Sequence, residues 1–273
     1  MTVRDDQGYG PAPIKHRTLF LSDLHLGAMG CRADLIHDFL MRNTADTIYL
    51  VGDILDIWHP IVPHWTRDHD AVLSLLFRRV REGVRVIYTP GNHDAEMRSH
   101  YGLPLPGFEI VEDCVHVAAD GRQFYVLHGD VCDPRILRWH VATRMGSRAN
   151  HLLRSLDGWL KRARRDVPGT PERTVIEVVL GWVNAALLFG NRFEERPIEL
   201  ARARGLGGVI CGHFHQARLR RTEDDILYAN CGDWMDSFTA LAETADGELR
   251  LIEWAEQAAP APAAGLVPGA QGA

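Results

Sequence analysis

The sequence predicts an α/β fold, α+β in part, on three observations. Short apolar runs of strand length alternate with helical periodicity through the first third of the chain. Several of those runs end in a carboxylate, an imidazole or an amide. The stretch from about 134 to 204 then breaks the rhythm with a continuous helical pattern. Strands are expected at 18–21, 47–51, 85–89, 123–127, 208–211, 226–230, 239–242 and 249–253. Helices are expected at 33–42, where Leu35, Ile36, Phe39 and Leu40 share a face, and at 69–81, where Val72, Leu73, Leu75, Leu76 and Val80 do. Strand, helix, strand, helix, strand implies parallel pairing with helices over the sheet. The later strands lack intervening helices and are expected to pair antiparallel.

The chain has 273 residues, 46% of them hydrophobic and 24% charged, which excludes disorder, collagen and a coiled coil. A net charge of -6 argues against nucleic acid as the main partner, because a phosphate backbone demands a basic footprint. The charge is uneven: residues 134–173 carry ten basic side chains against three acidic, a net +7. Five cysteines, odd in number and without a CxxC, indicate neither a disulfide framework nor a thiolate zinc site, and a reducing, cytoplasmic compartment is expected. Residues 1–16 are polar, with no apolar run of signal-peptide length, and 257–273 are rich in Ala, Pro and Gly; both ends are expected to be disordered around one domain spanning 17–256. Residues 134–204 read as a helical cap inserted into that domain. Its most apolar part, 175–189, is too short and too polar for the roughly 20 residues of a membrane-spanning helix, and is expected to be a buried cap helix or a surface for acyl chains.

The chemistry lies where strands stop. Ser22-Asp23-Leu24-His25, Gly52-Asp53, Gly91-Asn92-His93-Asp94, His128-Gly129-Asp130 and Gly212-His213-Phe214-His215 follow five successive strand signals. In open α/β sheets ligands bind beyond the carboxyl ends of strands, so the five clusters should converge. Taken singly each has a bland reading, as a capped turn or a solvated loop; five in this order do not. Carboxylate, imidazole and amide donors without thiolate suit Mn2+, Fe2+ or Zn2+, with a weaker case for Mg2+. Seven ligands exceed the needs of one ion, whereas two ions sharing a carboxylate, about 3.5 to 4 Å apart, would use them all.

These five motifs resemble the calcineurin-type metallophosphoesterase family, over about residues 18–215. The resemblance implies a β-sandwich of two mixed sheets flanked by helices, with a dinuclear site at one edge. It implies one metal held by Asp23, His25, Asp53 and His215 and another by Asp53, Asn92, His128 and His213, with Asp53 bridging. The pattern is also similar to one branch, the UDP-2,3-diacylglucosamine pyrophosphatases of lipid A synthesis, through Ser22-Asp23-Leu24-His25-Leu26-Gly27, Tyr49-Leu50-Val51-Gly52-Asp53, the helical insertion, and Asn230-Cys231-Gly232-Asp233-Trp234. It departs from that branch at His93, where the best-known members carry Arg.

The resemblance implies hydrolysis of the pyrophosphate bond of a nucleotide-linked acylated sugar to UMP and 2,3-diacylglucosamine 1-phosphate, with Mn2+ the first choice of metal. It also implies a peripheral place on the cytoplasmic face of the inner membrane. His93 is expected to protonate the leaving oxygen, with Asp94 fixing its tautomer. Arg135 and Arg138 are expected to contact the substrate's diphosphate or an anionic membrane surface, or else to form a solvated face. One rival is the same chemistry on a soluble phosphoester, which His93 favours. The other, a non-catalytic scaffold, predicts missing ligands, and none of the seven is missing.

Overall fold

The computed structural model describes residues 12–57, 64–102, 107–133 and 193–254. The body of the expected cap, with Arg135 and Arg138, lies outside the described residues, as do 1–11 and 255–273.

The strands form two mixed sheets. The first contains β1 (Ile14–Leu21), β2 (Asn43–Val51), β3 (Arg85–Thr89), β4 (Phe108–Ile110), β10 (Thr239–Glu243) and β11 (Leu249–Glu253), in the order β11-β10-β1-β2-β3-β4. The second contains β5 (Cys114–Val117), β6 (Gln123–Val126), β7 (Gly208–Cys211), β8 (Arg218–Arg221) and β9 (Leu227–Asn230), in the order β5-β6-β7-β9-β8. β1 to β4 run parallel, crossing over through α1 (Ala33–Arg42) and α2 (Arg67–Arg81). α3 (Glu195–Ala203) precedes β7 and packs on the second sheet.

Period-two alternation builds the layers. Leu19 and Leu21 of β1 face the helices, packing with Ile36, Phe39, Val72 and Leu76. Phe20, between them, faces the second sheet with Tyr49, Val51, Phe124, Val126 and Ile210. The outer face of the second sheet, through Tyr125, Leu127 and Val209, packs on Ile198 and Ala201 of α3. Central strands are thus covered on both faces, which explains their continuous apolar runs.

Three sequence expectations are corrected. β1 begins at Ile14, inside the stretch expected to be disordered, because Ile14 pairs with Asn43 and His16 Nε2 lies 2.9 Å from Asn43 Oδ1. β2 begins four residues early, directly after α1. The later strands are not all antiparallel: β6, β7 and β9 are mutually parallel, because β8 pairs outside β9 and leaves β9 to lie beside β7. β4, β5 and β8 were not expected. β8 reads Arg-Leu-Arg-Arg and lies at a sheet edge, so hydrophobic periodicity gives no sign of it. Among the described residues no helix is long and apolar enough to cross a membrane.

Candidate metal centre

Each sheet contributes a parallel set of strands, and their carboxyl ends meet at one edge of the sandwich. β1 delivers Asp23 and His25, β2 Asp53, β3 Asn92 and His93, β6 His128, and β7 His213 and His215. Backbone pairing continues past the strands: Asp23 N–H donates to Gly52 O (3.0 Å), His25 N–H to Asp53 O (2.9 Å) and Gly212 N–H to His128 O (2.9 Å).

The side chains form clusters in which ligand atoms lie within 4.8 Å of one another: Asp23, His25 and His215; Asp53, His128 and His213; and His25, Asp56 and His93. His215 Nε2 is 3.1 Å from Asp23 Oδ1 and 3.4 Å from His25 Nε2, and His128 Nε2 is 3.4 Å from Asp53 Oδ2.

The surrounding chain spends the other polar atoms of these groups. Asp23 Oδ2 accepts from Ser22 Oγ and from His213 N–H (2.9 Å), Asp53 Oδ1 accepts from His93 N–H (2.8 Å), and His128 Nδ1 lies 3.0 Å from Val51 O. Asn92 Oδ1 and His128 Nε2 are left buried without a hydrogen bond, and Asp23 Oδ1 faces the His215 ring at 3.1 Å. Buried polar atoms are ordinarily satisfied, and polar atoms left unsatisfied among carboxylates and imidazoles are what a divalent cation would satisfy. The donor set therefore fits a metal pair.

Charge tells the same story. Burial pushes Asp23 up, but the His215 imidazole prevails and holds it at about 2; the partner effect on His215, against burial, lifts it to about 9. Burial opposes the Asp53–His128 pair as well, yet His128 draws Asp53 well below the usual carboxylate range and Asp53 raises His128 well above that of imidazole. Burial, with the neighbouring His93, lowers His25 to about 4. Protons on imidazoles thus hold the place a cation would take.

Backbone conformation is equally particular. Among the described residues seven non-glycine residues have positive φ, and five are Asp23, His25, Asp53, His213 and His215, at 47° to 68°. Glycine admits the close approach at Gly91, where a Cβ would fall on Asp53 Oδ1 and within 2.6 Å of His128 Nε2.

Asp94 turns away from His93. Its carboxylate accepts from Gly91 N–H (2.6 Å), Ile54 N–H (2.7 Å), Leu55 N–H (3.2 Å) and the Tyr88 hydroxyl, so it ties the β2 and β3 loops together. The expectation that it fixes the His93 tautomer is corrected. The carboxylate facing that ring is Asp56, with Oδ1 3.1 Å from His93 Nδ1. The sequence signal for it was its place three residues after Asp53. Asn230 and Asp233, flagged as part of a motif without a role, support the β7 loop: Asn230 Nδ2 donates to Gly212 O (2.8 Å), and Asp233 Oδ2 lies 3.9 Å from His215 Nδ1.

The family model described as calcineurin-like phosphoesterase matches residues 16–217. A UDP-2,3-diacylglucosamine hydrolase of Shewanella baltica is 24% identical over 251 residues, covering 85% of this chain and 95% of the relative. The protein of that name from Stenotrophomonas maltophilia is 32% identical over 118 residues, covering 42% and 46%. Among solved structures, the phosphoesterase Yfce of E. coli aligns over 86% of this chain and 98% of its own at 13% identity and a TM-score of 0.43.

Proposed function

The chain belongs to the calcineurin-like phosphoesterase family and is a hydrolase, and from that premise we propose that it cleaves the pyrophosphate bond of UDP-2,3-diacylglucosamine, releasing UMP and 2,3-diacylglucosamine 1-phosphate. The observation that carries the substrate is similarity to hydrolases of that name across 95% of their length. Asp23, His25, Asp53 and His215 would hold one divalent ion and Asp53, Asn92, His128 and His213 the other, with Asp53 shared. Bound there, two ions, Mn2+ by first preference, supply hydroxide at neutral pH and neutralise charge on the phosphoryl oxygens.

The remaining work falls to His93. Asp56 holds a proton on Nδ1, so Nε2 is the nitrogen left to give its proton to the leaving oxygen as the P–O bond breaks. Burial lowers the affinity of this imidazole for protons, but Asp53 and Asp56 outweigh it and raise its pKa, which favours the acid form at neutral pH. A substrate with acyl chains sits at a membrane surface, and the cationic stretch 134–173, with Arg135 and Arg138, is suited to its phosphates and to anionic lipid.

His93 itself supports a second reading, hydrolysis of a soluble phosphoester, since it stands where the best-known pyrophosphatases of the resembling branch carry Arg. The two are separated by product release from the Mn2+-loaded protein with UDP-2,3-diacylglucosamine, UDP-N-acetylglucosamine and p-nitrophenyl phosphate under one set of conditions. Strong preference for the diacylated substrate is expected. Equal or faster turnover of the small esters would refute the pyrophosphatase reading in favour of the second.

A further inference from the structure

The described residues that flank 134–192 both abut the His213-Phe214-His215 loop. On one side, buried Asp133 places Oδ2 3.2 Å from Nε2 of His213. On the other, the Phe193 ring lies against Phe214 with centroids 4.7 Å apart, and Phe214 stands edge-on to His213 at 5.1 Å. Glu194 then anchors that side, accepting from Arg218 (2.6 Å) and Arg220 (2.7 Å) of β8.

We propose that Asp133 is a positioning residue for the second metal position, fixing the His213 ring so that Nδ1, and not Nε2, faces the Asp53–His128 cluster. The inference rests on the reading of this site as a two-ion centre. A neutral imidazole carries one proton, and only its bare nitrogen binds a cation. A carboxylate at Nε2 keeps the proton there and makes Nδ1 the more basic ligand, as acceptors behind metal-binding histidines generally do. His128 is treated in the mirror sense: Val51 O holds its Nδ1 and leaves Nε2 to the cluster. The backbone of His213 is already fixed, by φ of 68° and by its N–H on Asp23 Oδ2. Rotation of the ring is the freedom that remains, and Asp133 removes it. The point at which the inserted segment leaves the fold is thereby part of the metal centre's support.

The test is equilibrium dialysis of the full chain against Mn2+, comparing wild type with Asp133→Ala and Asp133→Asn, alongside thermal melts in chelator. Wild type is expected to bind two ions. Asp133→Ala should keep one at unchanged affinity and bind the other about 10- to 100-fold more weakly. Asp133→Asn, which retains a neutral acceptor, should fall between. Two ions at wild-type affinity in both variants, or equal weakening of both ions, would overturn the assignment. If Asp133→Ala fails to fold, Asp133→Asn decides alone: a weaker second ion supports the proposal and unchanged affinity overturns it. A wild type binding fewer than two ions refutes the two-ion reading itself, and is seen before any variant is compared.

Discussion

Glu243 offers the sharpest quantitative prediction, because both oxygens of its buried carboxylate are hydrogen-bonded, and by residues that are not candidate metal ligands. It sits on β10 in the first sheet with no exposed surface. Its carboxylate accepts from Arg17 (2.7 and 2.8 Å), Thr18 Oγ1 (2.7 Å), Ala119 N–H (2.8 Å) and His116 Nε2 (2.9 Å), and the last two belong to the second-sheet side. It therefore stitches the two sheets together. Burial pushes its pKa up, but these donors win and bring it from 4.5 to about 2. A depressed carboxylate contributes stability that is complete above its unfolded pKa and is lost as pH falls through its folded one. The shift corresponds to about 3 kcal/mol at 1.36 kcal/mol per pKa unit. Glu243→Gln keeps the shape and removes the charge. Urea melts in chelator, so that metal release adds nothing, should show the variant about 3 kcal/mol less stable at pH 7, or roughly 6 to 12 °C lower in Tm. The difference should persist to about pH 5 and shrink toward zero near pH 2. A difference independent of pH between 7 and 3, or below about 1 kcal/mol at pH 7, would refute the assignment of this charge as the inter-sheet tie.

Three further outcomes follow from the site. His93→Asn should leave metal content unchanged and lower turnover by roughly 10^2 to 10^4; loss of metal, by elemental analysis, would make His93 a ligand instead. Metal uptake at pH 7 should release at least two protons, from His128 and His215, whose pKa values are raised by their carboxylates. Calorimetry in buffers of different ionisation enthalpy reads this directly, and an enthalpy independent of buffer would contradict it. Gly91→Ala should lose metal while remaining folded, because its Cβ would displace Asp53 and the His128 ring; the cost is about 1 to 3 kcal/mol of overpacking, and full metal content in this variant would show that the two groups have room to move.

The sequence was most legible where chemistry and periodicity coincide. Asp23, Asp53, Asn92, His128 and His213 each follow an apolar run, and a run buried on both faces can end in polar residues only where the chain meets solvent or a ligand. Legibility failed where a residue's role depends on a partner distant in sequence. Asp94 is next to His93 in the chain and Asp56 lies 37 residues before it, and nothing in that spacing says that Asp94 faces Tyr88 and the backbone of Ile54 while Asp56 faces the ring. Asp133 depends on His213, 80 residues away. β8 was hidden for a related reason, since an edge strand of arginines is held by Glu194 and by backbone pairing to β9, neither of which leaves an apolar signature.

The left-handed backbone at five of the seven candidate ligands was invisible in sequence for the same cause, and it explains why the site is built this way. A left-handed Asp or His costs on the order of 1 kcal/mol, so five together forgo a sum comparable to the stability of many domains. The conformation persists because the surrounding backbone overdetermines it: Asp23 and His25 are pinned by the carbonyls of Gly52 and Asp53 just beyond β2, and Asn230 holds the Gly212 carbonyl just before His213. What the strain achieves is direction. A ligand in ordinary extended geometry would carry its side chain alternately to either face of its sheet, into the helices or the inter-sheet core. Reversing φ at the first residues beyond each strand turns Asp23, Asp53 and His213 instead toward the edge where the two sheets meet, and so lets two separately formed sheets share one set of ligands.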